Sequence, residues 1–234
     1  MFSHLIVPVD PWALSTRSIP VAAQLAATLG ATFEAVTVSG KFQDGLAAQA
    51  LADAIARHAA LAVEPTQNVV VADSVSAAIA ERYAATPGSL IVMASHGRGR
   101  SASVLGSTTT ELLAATGAPI VVLGPAADEA TLRTDGAYVV PLDGSDRGDS
   151  ILPVVADWSR AFAGDPWLVS VIDPDDELPA DVLPTAGLVR RADELGRQIG
   201  REVQYDALRH DRPGSAIVEF AAQQDAAFVF VATH

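Results

Sequence analysis

A short apolar run closed by an acid occurs twice in this chain. Val7-Pro8-Val9-Asp10 recurs as Val140-Pro141-Leu142-Asp143, an offset of 133 in the numbering, and Ala35-Val36-Thr37-Val38 recurs at the same offset as Leu168-Val169-Ser170-Val171. Two more pairs share an offset of 138: Ala77-Ala78-Ile79 with Ser215-Ala216-Ile217, and Val92-Met93-Ala94-Ser95-His96 with Phe230-Val231-Ala232-Thr233-His234. Repetition at a constant spacing marks a duplicated unit. The step from one offset to the other places one short insertion in the region of the second helix. The spacing predicts two domains, 1–125 and 136–234, joined by a polar stretch between them.

Within the first copy, apolar runs at 5–9, 32–38, 69–71, 90–93 and 120–123 alternate with Ala/Leu-rich segments at 16–29, 46–61, 75–85 and 108–115. Gly30, Pro87-Gly88 and Gly117 punctuate the helical segments as stop signals do. The strands are apolar throughout rather than alternating. That pattern belongs to a parallel sheet covered by helices on both faces, so the fold class expected is α/β. The second copy ends at the residue equivalent to His96. It is expected to lack its last helix and strand, and the natural chain to continue by about 30–50 residues on the pattern of the first copy.

Composition removes several classes of function. There are no cysteines, which excludes disulfide scaffolds, thiolate metal sites and cysteine nucleophiles. The only lysine, Lys41, is followed by Phe42 and not by Ser or Thr, so there is no Walker-type phosphate loop. A net charge of −13 argues against duplex nucleic acid or an anionic membrane as partner. No apolar run reaches the length of a membrane span, and the first residues carry no signal-peptide pattern, so a cytoplasmic location is expected.

The segment that carries chemistry is Met93-Ala94-Ser95-His96-Gly97-Arg98-Gly99-Arg100, followed by Gly106-Ser107-Thr108. It leaves the end of a strand and enters a helix. Glycines let a backbone approach a ligand closely. The amides from Ser107 to Thr110 open the helix, where the dipole favours an anion, and Ser107 and Thr108 add hydroxyls. Thr108 with Glu111 fits a capping box. The chemistry suits a phosphate. Gly97-x-Gly99-x-x-Ala102 mimics a dinucleotide fingerprint, but that fingerprint belongs after the first strand, with an acid about 20 residues on. Here it follows the fourth.

Val7-Pro8-Val9-Asp10, Val92-Met93-Ala94-Ser95-His96-Gly97 and Gly106-Ser107 together resemble the universal stress protein family, over one complete copy and one cut copy. The resemblance implies two doubly wound sheets of strand order 3-2-1-4-5, with a ligand cleft between strands one and four. It implies an adenine nucleotide, ATP with magnesium, as the ligand. Pro8, Val9, Asp10 and Val38 would hold the base and ribose end. His96, Gly97, Gly106, Ser107 and Thr108 would hold the phosphates, Arg98 could reach them, and Met93, Ala94 and Gly99 would complete the nucleotide site. Leu142, Asp143 and Val171 would be the second copy's base-end residues. ATP-binding members of the family show Gly-x2-Gly-x9-Gly-Ser/Thr. This chain has Ala94 at the first glycine, and eight residues between Gly97 and Gly106. Pairing through the fifth strand, Ile120 to Leu123, is expected, either with another copy or within the chain.

No catalytic constellation is visible, and no metal site is assigned. Ser145 has no histidine near it in sequence, and His210 and His234 are isolated. Asp173, Asp175, Asp176 and Glu177 lack calcium-loop spacing. The function expected is a nucleotide-binding stress-response regulator. The alternative is a nucleotide-free member of the same family that works as an interaction module. At most, slow ATP hydrolysis is expected.

Overall fold

The computed structural model describes residues 2–12, 14–40, 44–58, 60–95, 106–124, 127, 132–175 and 185–233. The chain divides into two compact units, Met1–Leu132 and Arg133–His234.

Unit 1 runs β1 (His4–Pro8), a 3-10 turn (Leu14–Arg17), α1 (Ser18–Leu29), β2 (Thr32–Ser39), α2 (Asp44–Ala56), β3 (Thr66–Val71), α3 (Val75–Ala85), β4 (Ser89–Ala94), α4 (Ser107–Ala115) and β5 (Ile120–Leu123). Its five strands pair in the order β3-β2-β1-β4-β5, and every pairing is parallel. The central strands are buried on both sides. Ile6, Val36 and Ile91 pack with Ile79 of α3 and Leu112 of α4, while Leu5, Val7 and Phe33 lie buried beneath the other face. Each such side chain contributes roughly 1.5–3 kcal/mol of burial, which is why the strands read as unbroken apolar runs.

The helix ends follow local chemistry. Gly30 closes α1 in the left-handed region, at φ 63°, with its N–H on the Ala26 and Ala27 carbonyls. Ser74 caps α3 through its hydroxyl, which accepts the Ala77 N–H. Two sequence expectations are corrected. The second helix ends at Ala56 and not at residue 61, because Ala60 takes a left-handed φ of 54° that a continuing helix does not allow. The fourth helix begins at Ser107, with Gly106 as its N-cap, so Thr108 does not cap it.

Unit 2 runs β6 (Ala137–Pro141), α5 (Asp146–Asp149), α6 (Leu152–Phe162), β7 (Asp165–Ile172), α7 (Ala186–Ile199), β8 (Gln204–Arg209), α8 (Pro213–Gln223) and β9 (Phe228–Val229). Its four strands pair in parallel in the order β8-β7-β6-β9, which repeats the first four strands of unit 1. The element bounds repeat the sequence offsets. β6 and β7 follow β1 and β2 at the smaller offset, and β8 and α8 follow β3 and α3 at the larger. The insertion therefore lies between β7 and β8. Val140, Leu168, Leu188 and Leu195 fill one face of this sheet, and Val139, Val169 and Phe220 fill the other. Gly164 is fixed by packing, since a Cβ there would lie 1.9 Å from the ring of the buried Tyr138.

Candidate functional site

In unit 1 the chain leaves β1 for α1 and leaves β4 for α4, and these two strands are neighbours. The connections run to opposite faces of the sheet. In open α/β sheets a point where neighbouring connections part in this way, at the carboxyl ends of β1 and β4, is where ligands bind. What the sequence places along that edge decides what it can hold.

At the β1 side the backbone is tightly tied. The Val9 N–H donates to the Val36 carbonyl at 2.9 Å, and the Val9 carbonyl accepts the Thr37 hydroxyl at 2.9 Å. Asp10 then turns the chain. Its N–H donates to Ser15 Oγ at 2.8 Å, and that hydroxyl donates back to the Asp10 carbonyl at 2.9 Å. Asp10 Oδ1 accepts the Trp12 N–H at 3.1 Å, the Asx turn that aspartate forms with the residue two places on. Arg57, just past α2, donates to the Pro11 carbonyl at 3.1 Å. The 3-10 turn that follows packs against β4.

At the β4 side the strand ends on Ala94 and Ser95. The Ser95 N–H donates to the Leu123 carbonyl at 2.9 Å, and its carbonyl accepts the Gly106 N–H at 2.8 Å. The two ends of the glycine-rich loop are thereby clamped together. A Cβ on Gly106 would lie 2.7 Å from the Ser95 oxygen, so only glycine fits the clamp. Helix α4 starts directly at the strand end. The Ser107, Thr108 and Thr109 amides have no partner within the helix at this position, and the positive end of the helix dipole lies with them. Glu111 does not close back on this turn. Its carboxylate accepts the Ser76 hydroxyl at 2.6 Å and so links α4 to α3.

Of the residues singled out from sequence, Asp10 and Ala94 are half-buried, Ser107 is exposed and Thr108 is half-buried. Pro8, Val9 and Met93 are buried. Met93 packs with Ile6, Val36 and Leu112, so it can offer only backbone to a ligand, while half-buried Val38 lies against the same cluster. His96, Gly97, Arg98 and Gly99 lie outside the described residues. Sequence reasoning passed over Ser15, Thr37, Arg57 and Ser95. Each acts through a bond to a backbone group that no local pattern signals.

In unit 2, Asp143 repeats the turn of Asp10. Its Oδ1 accepts the Ser145 N–H at 2.9 Å and the Ser145 hydroxyl at 2.6 Å, and Ser145 Oγ in turn accepts the Gly148 N–H at 2.9 Å. Leu142 is buried in the core and Val171 is half-buried on β7. Asp149 is paired with Arg191 at 2.6 Å, which offsets part of the acidity of this turn. The Asp149 pair raises the Arg191 pKa further. Among the described residues of the chain, no group of three or more His, Asp or Glu is placed to hold a metal ion, and no helix is long and apolar enough to cross a membrane.

The model of the universal stress protein family matches residues 1–124, more than half of the chain. No curated protein matches the chain. Among solved structures, a universal stress protein from Archaeoglobus fulgidus DSM 4304 is similar over 97% of this chain and 85% of that one, at 18% identity and a TM-score of 0.63. A functionally unknown protein, PA1789 from Pseudomonas aeruginosa PAO1, is similar over 97% of this chain and 80% of its own, at 14% identity and a TM-score of 0.63. At these identities the likeness is one of fold.

Proposed function

The chain belongs to the universal stress protein family, and from that premise we propose that it binds an adenine nucleotide in unit 1 and acts as a stress-response regulator. ATP, with magnesium, is the first candidate ligand. The observation that carries this reading is the Ser95–Gly106 clamp. It sets the first turn of α4, with its amides and the Ser107 and Thr108 hydroxyls, at the end of β4, beside the strand that leads into Asp10. Phosphate at a helix N-terminus and a carboxylate near the ribose are a familiar division of labour at such a switch point. Asp10, with Pro8, Val9 and Val38, is assigned the base and ribose end. His96, Gly97, Gly106, Ser107 and Thr108 are assigned the phosphate end, with Arg98 a further candidate there, and Met93, Ala94 and Gly99 complete the nucleotide site. Leu142, Asp143 and Val171 are the corresponding base-end positions of unit 2.

The protein acts through changes in conformation or in partner contacts, in the cytoplasm, with β5 as its pairing edge. It is a regulator and not a catalyst, and any ATP hydrolysis is slow.

Thermal unfolding and calorimetry with ATP, AMP and cyclic AMP test the proposal. A ligand at 100 times its dissociation constant adds about 2.7 kcal/mol to the stability of the unit that binds it. Absence of both binding heat and thermal shift at millimolar nucleotide overturns the proposal. That outcome supports the second reading, a nucleotide-free interaction module, which is favoured by Ala94 in place of the family's first glycine and by the eight-residue spacing from Gly97 to Gly106.

A further inference from the structure

The large apolar side chains that unit 1 leaves in solvent are gathered on one edge. Among the described residues they are Trp12 at 66% exposure, Leu14 at 61%, Leu46 at 74%, Val71 at 49% and Val75 at 40%. Trp12 and Leu14 follow β1, Leu46 lies in the first turn of α2 after β2, Val71 ends β3 and Val75 opens α3. All five therefore sit at the carboxyl ends of β1, β2 and β3. Single exposed apolar residues need no explanation, but their collection on one edge does. The same edge at β4 is different in kind, with Ser95, Gly106, Ser107 and Thr108. Along the strand order the rim carries these large apolar side chains over three strands, beside the acids Asp10, Asp44 and Asp73, and is rich in amides and hydroxyls at the fourth. A ligand that is a flat ring at one end and an anion at the other matches that division.

We infer that the indole of Trp12 is the face on which the nucleobase stacks; the inference rests on the nucleotide-binding reading above. Trp12 follows β1, the strand beside β4, and it is the one aromatic of the five. Its backbone is already fixed. Asp10 Oδ1 holds its N–H, Ser15 holds Asp10 on both sides, and Arg57 holds the carbonyl of Pro11 between them. A turn whose main chain is held before the ligand arrives loses less entropy on binding. Aromatic faces stack on any base, and an indole offers more area than the leucines and valines around it. The Asx turn also ties the platform to the carboxylate assigned to the ribose end, so one turn presents both.

The test combines calorimetry with fluorescence. Trp12 is the only tryptophan of unit 1; of the other two, Trp158 is buried and Trp167 half-buried in unit 2. Saturating ATP is expected to shield an exposed indole from acrylamide. Trp12→Ala is expected to weaken ATP and adenosine alike by about tenfold, and Trp12→Phe, which keeps an aromatic face, by no more than about threefold. Far-UV circular dichroism checks that each variant is folded, and the acrylamide measurement needs no variant at all. Native affinity in Trp12→Ala, or unchanged acrylamide access at saturating ATP, overturns the inference while leaving nucleotide binding intact. Absence of heat with the native chain overturns both. Shielding that grows with protein concentration in the absence of nucleotide also overturns it, and gives the rim to a second copy of the chain.

Discussion

Arg57 and Arg191 do the same work in the two units. Each donates to the carbonyl of the residue that follows the first strand's aspartate: Arg57 to Pro11 at 3.1 Å, and Arg191 to Gly144 at 3.3 Å. Their offset is one greater than that of the first two strands, and they sit at different depths in the second helix of each repeat, past its end in one case and within it in the other. The carbonyl kept its partner although the helix shifted around it. Arg191 takes on more, since it also pairs with Asp149 at 2.6 Å.

That difference sets an order of stabilities. Arg57 is exposed and holds a single carbonyl, so Arg57→Leu is expected to cost about 1 kcal/mol, while loosening the turn from Asp10 to Ser15. Arg191→Leu leaves the half-buried Asp149 unpaired and is expected to cost about 2 kcal/mol. Urea unfolding of both variants gives the order, and hydrogen exchange at the Trp12 amide reads the loosening. Equal costs count against the comparison.

Gly106→Ala drives a methyl against the Ser95 carbonyl, 2.7 Å from where its Cβ would sit. A loss of about 1–3 kcal/mol is expected as the strand end and helix start move apart, with nucleotide affinity falling at the same time. Gly117→Ala is the control, because a Cβ there meets nothing within 4 Å. Thermal unfolding of the pair separates a packing requirement from a general dislike of alanine. If both variants unfold at the native temperature, the clamp does not depend on glycine.

Stability should fall in acid through Glu34. Its carboxylate is 2% exposed, bound by Arg82, by His4 at 3.3 Å and by Asn68 at 2.6 Å. Burial alone would raise its pKa. The hydrogen bonds and charges of Arg82 and His4 outweigh burial and hold it below the ordinary 4.5. A group depressed on folding stabilises fully above its unfolded value and loses that contribution as the pH falls through its folded one. Unfolding followed from mildly acidic pH downward should therefore show stability dropping below about 4.5, and Glu34→Gln should flatten that slope. Arg82→Met is expected to cost about 2 kcal/mol, at the low end for a buried carboxylate losing its partner because Arg82 itself stays 34% exposed.

Glu34 also marks where sequence reading stops. The second strand was legible from its apolar run, read as 32–38 and found at Thr32–Ser39, and its repeat at Leu168–Val171 fell within β7. Nothing in that run says that a glutamate in its midst is buried, since its partners come from β1, β3 and α3 and are fixed only when those elements meet. The site shows the same limit. Gly106 and the helix it opens were legible as punctuation, but the capping box at Thr108 was misplaced by the carbonyl of Ser95, which draws the helix start back one residue. Trp12 was passed over because an apolar residue in a loop gives no local sign of whether it is covered.

The pairing edge can be tested directly. In the described sheet β5 has β4 on one side only, and an apolar edge with unpaired amides is prone to association. If copies join there, Val121→Lys should shift sedimentation from dimer to monomer without changing thermal unfolding by more than about 0.5 kcal/mol. A native protein that is monomeric at all concentrations removes the proposal.

The bond between Gly106 and Ser95 has a meaning for how such proteins vary. A loop whose two feet are pinned together transmits little of its own length to what lies beyond, because the added closure entropy grows only with the logarithm of its size. Residues can be lost or gained between the feet while the amides at the start of α4 stay where they are. Whether an anion site survives the shorter spacing from Gly97 to Gly106, which favours the nucleotide-free reading, is then decided at the pinned feet. In an alignment or a library, variation should be tolerated inside the loop and punished at its base, and a foreign peptide grafted between the feet should leave the helix behind it undisturbed.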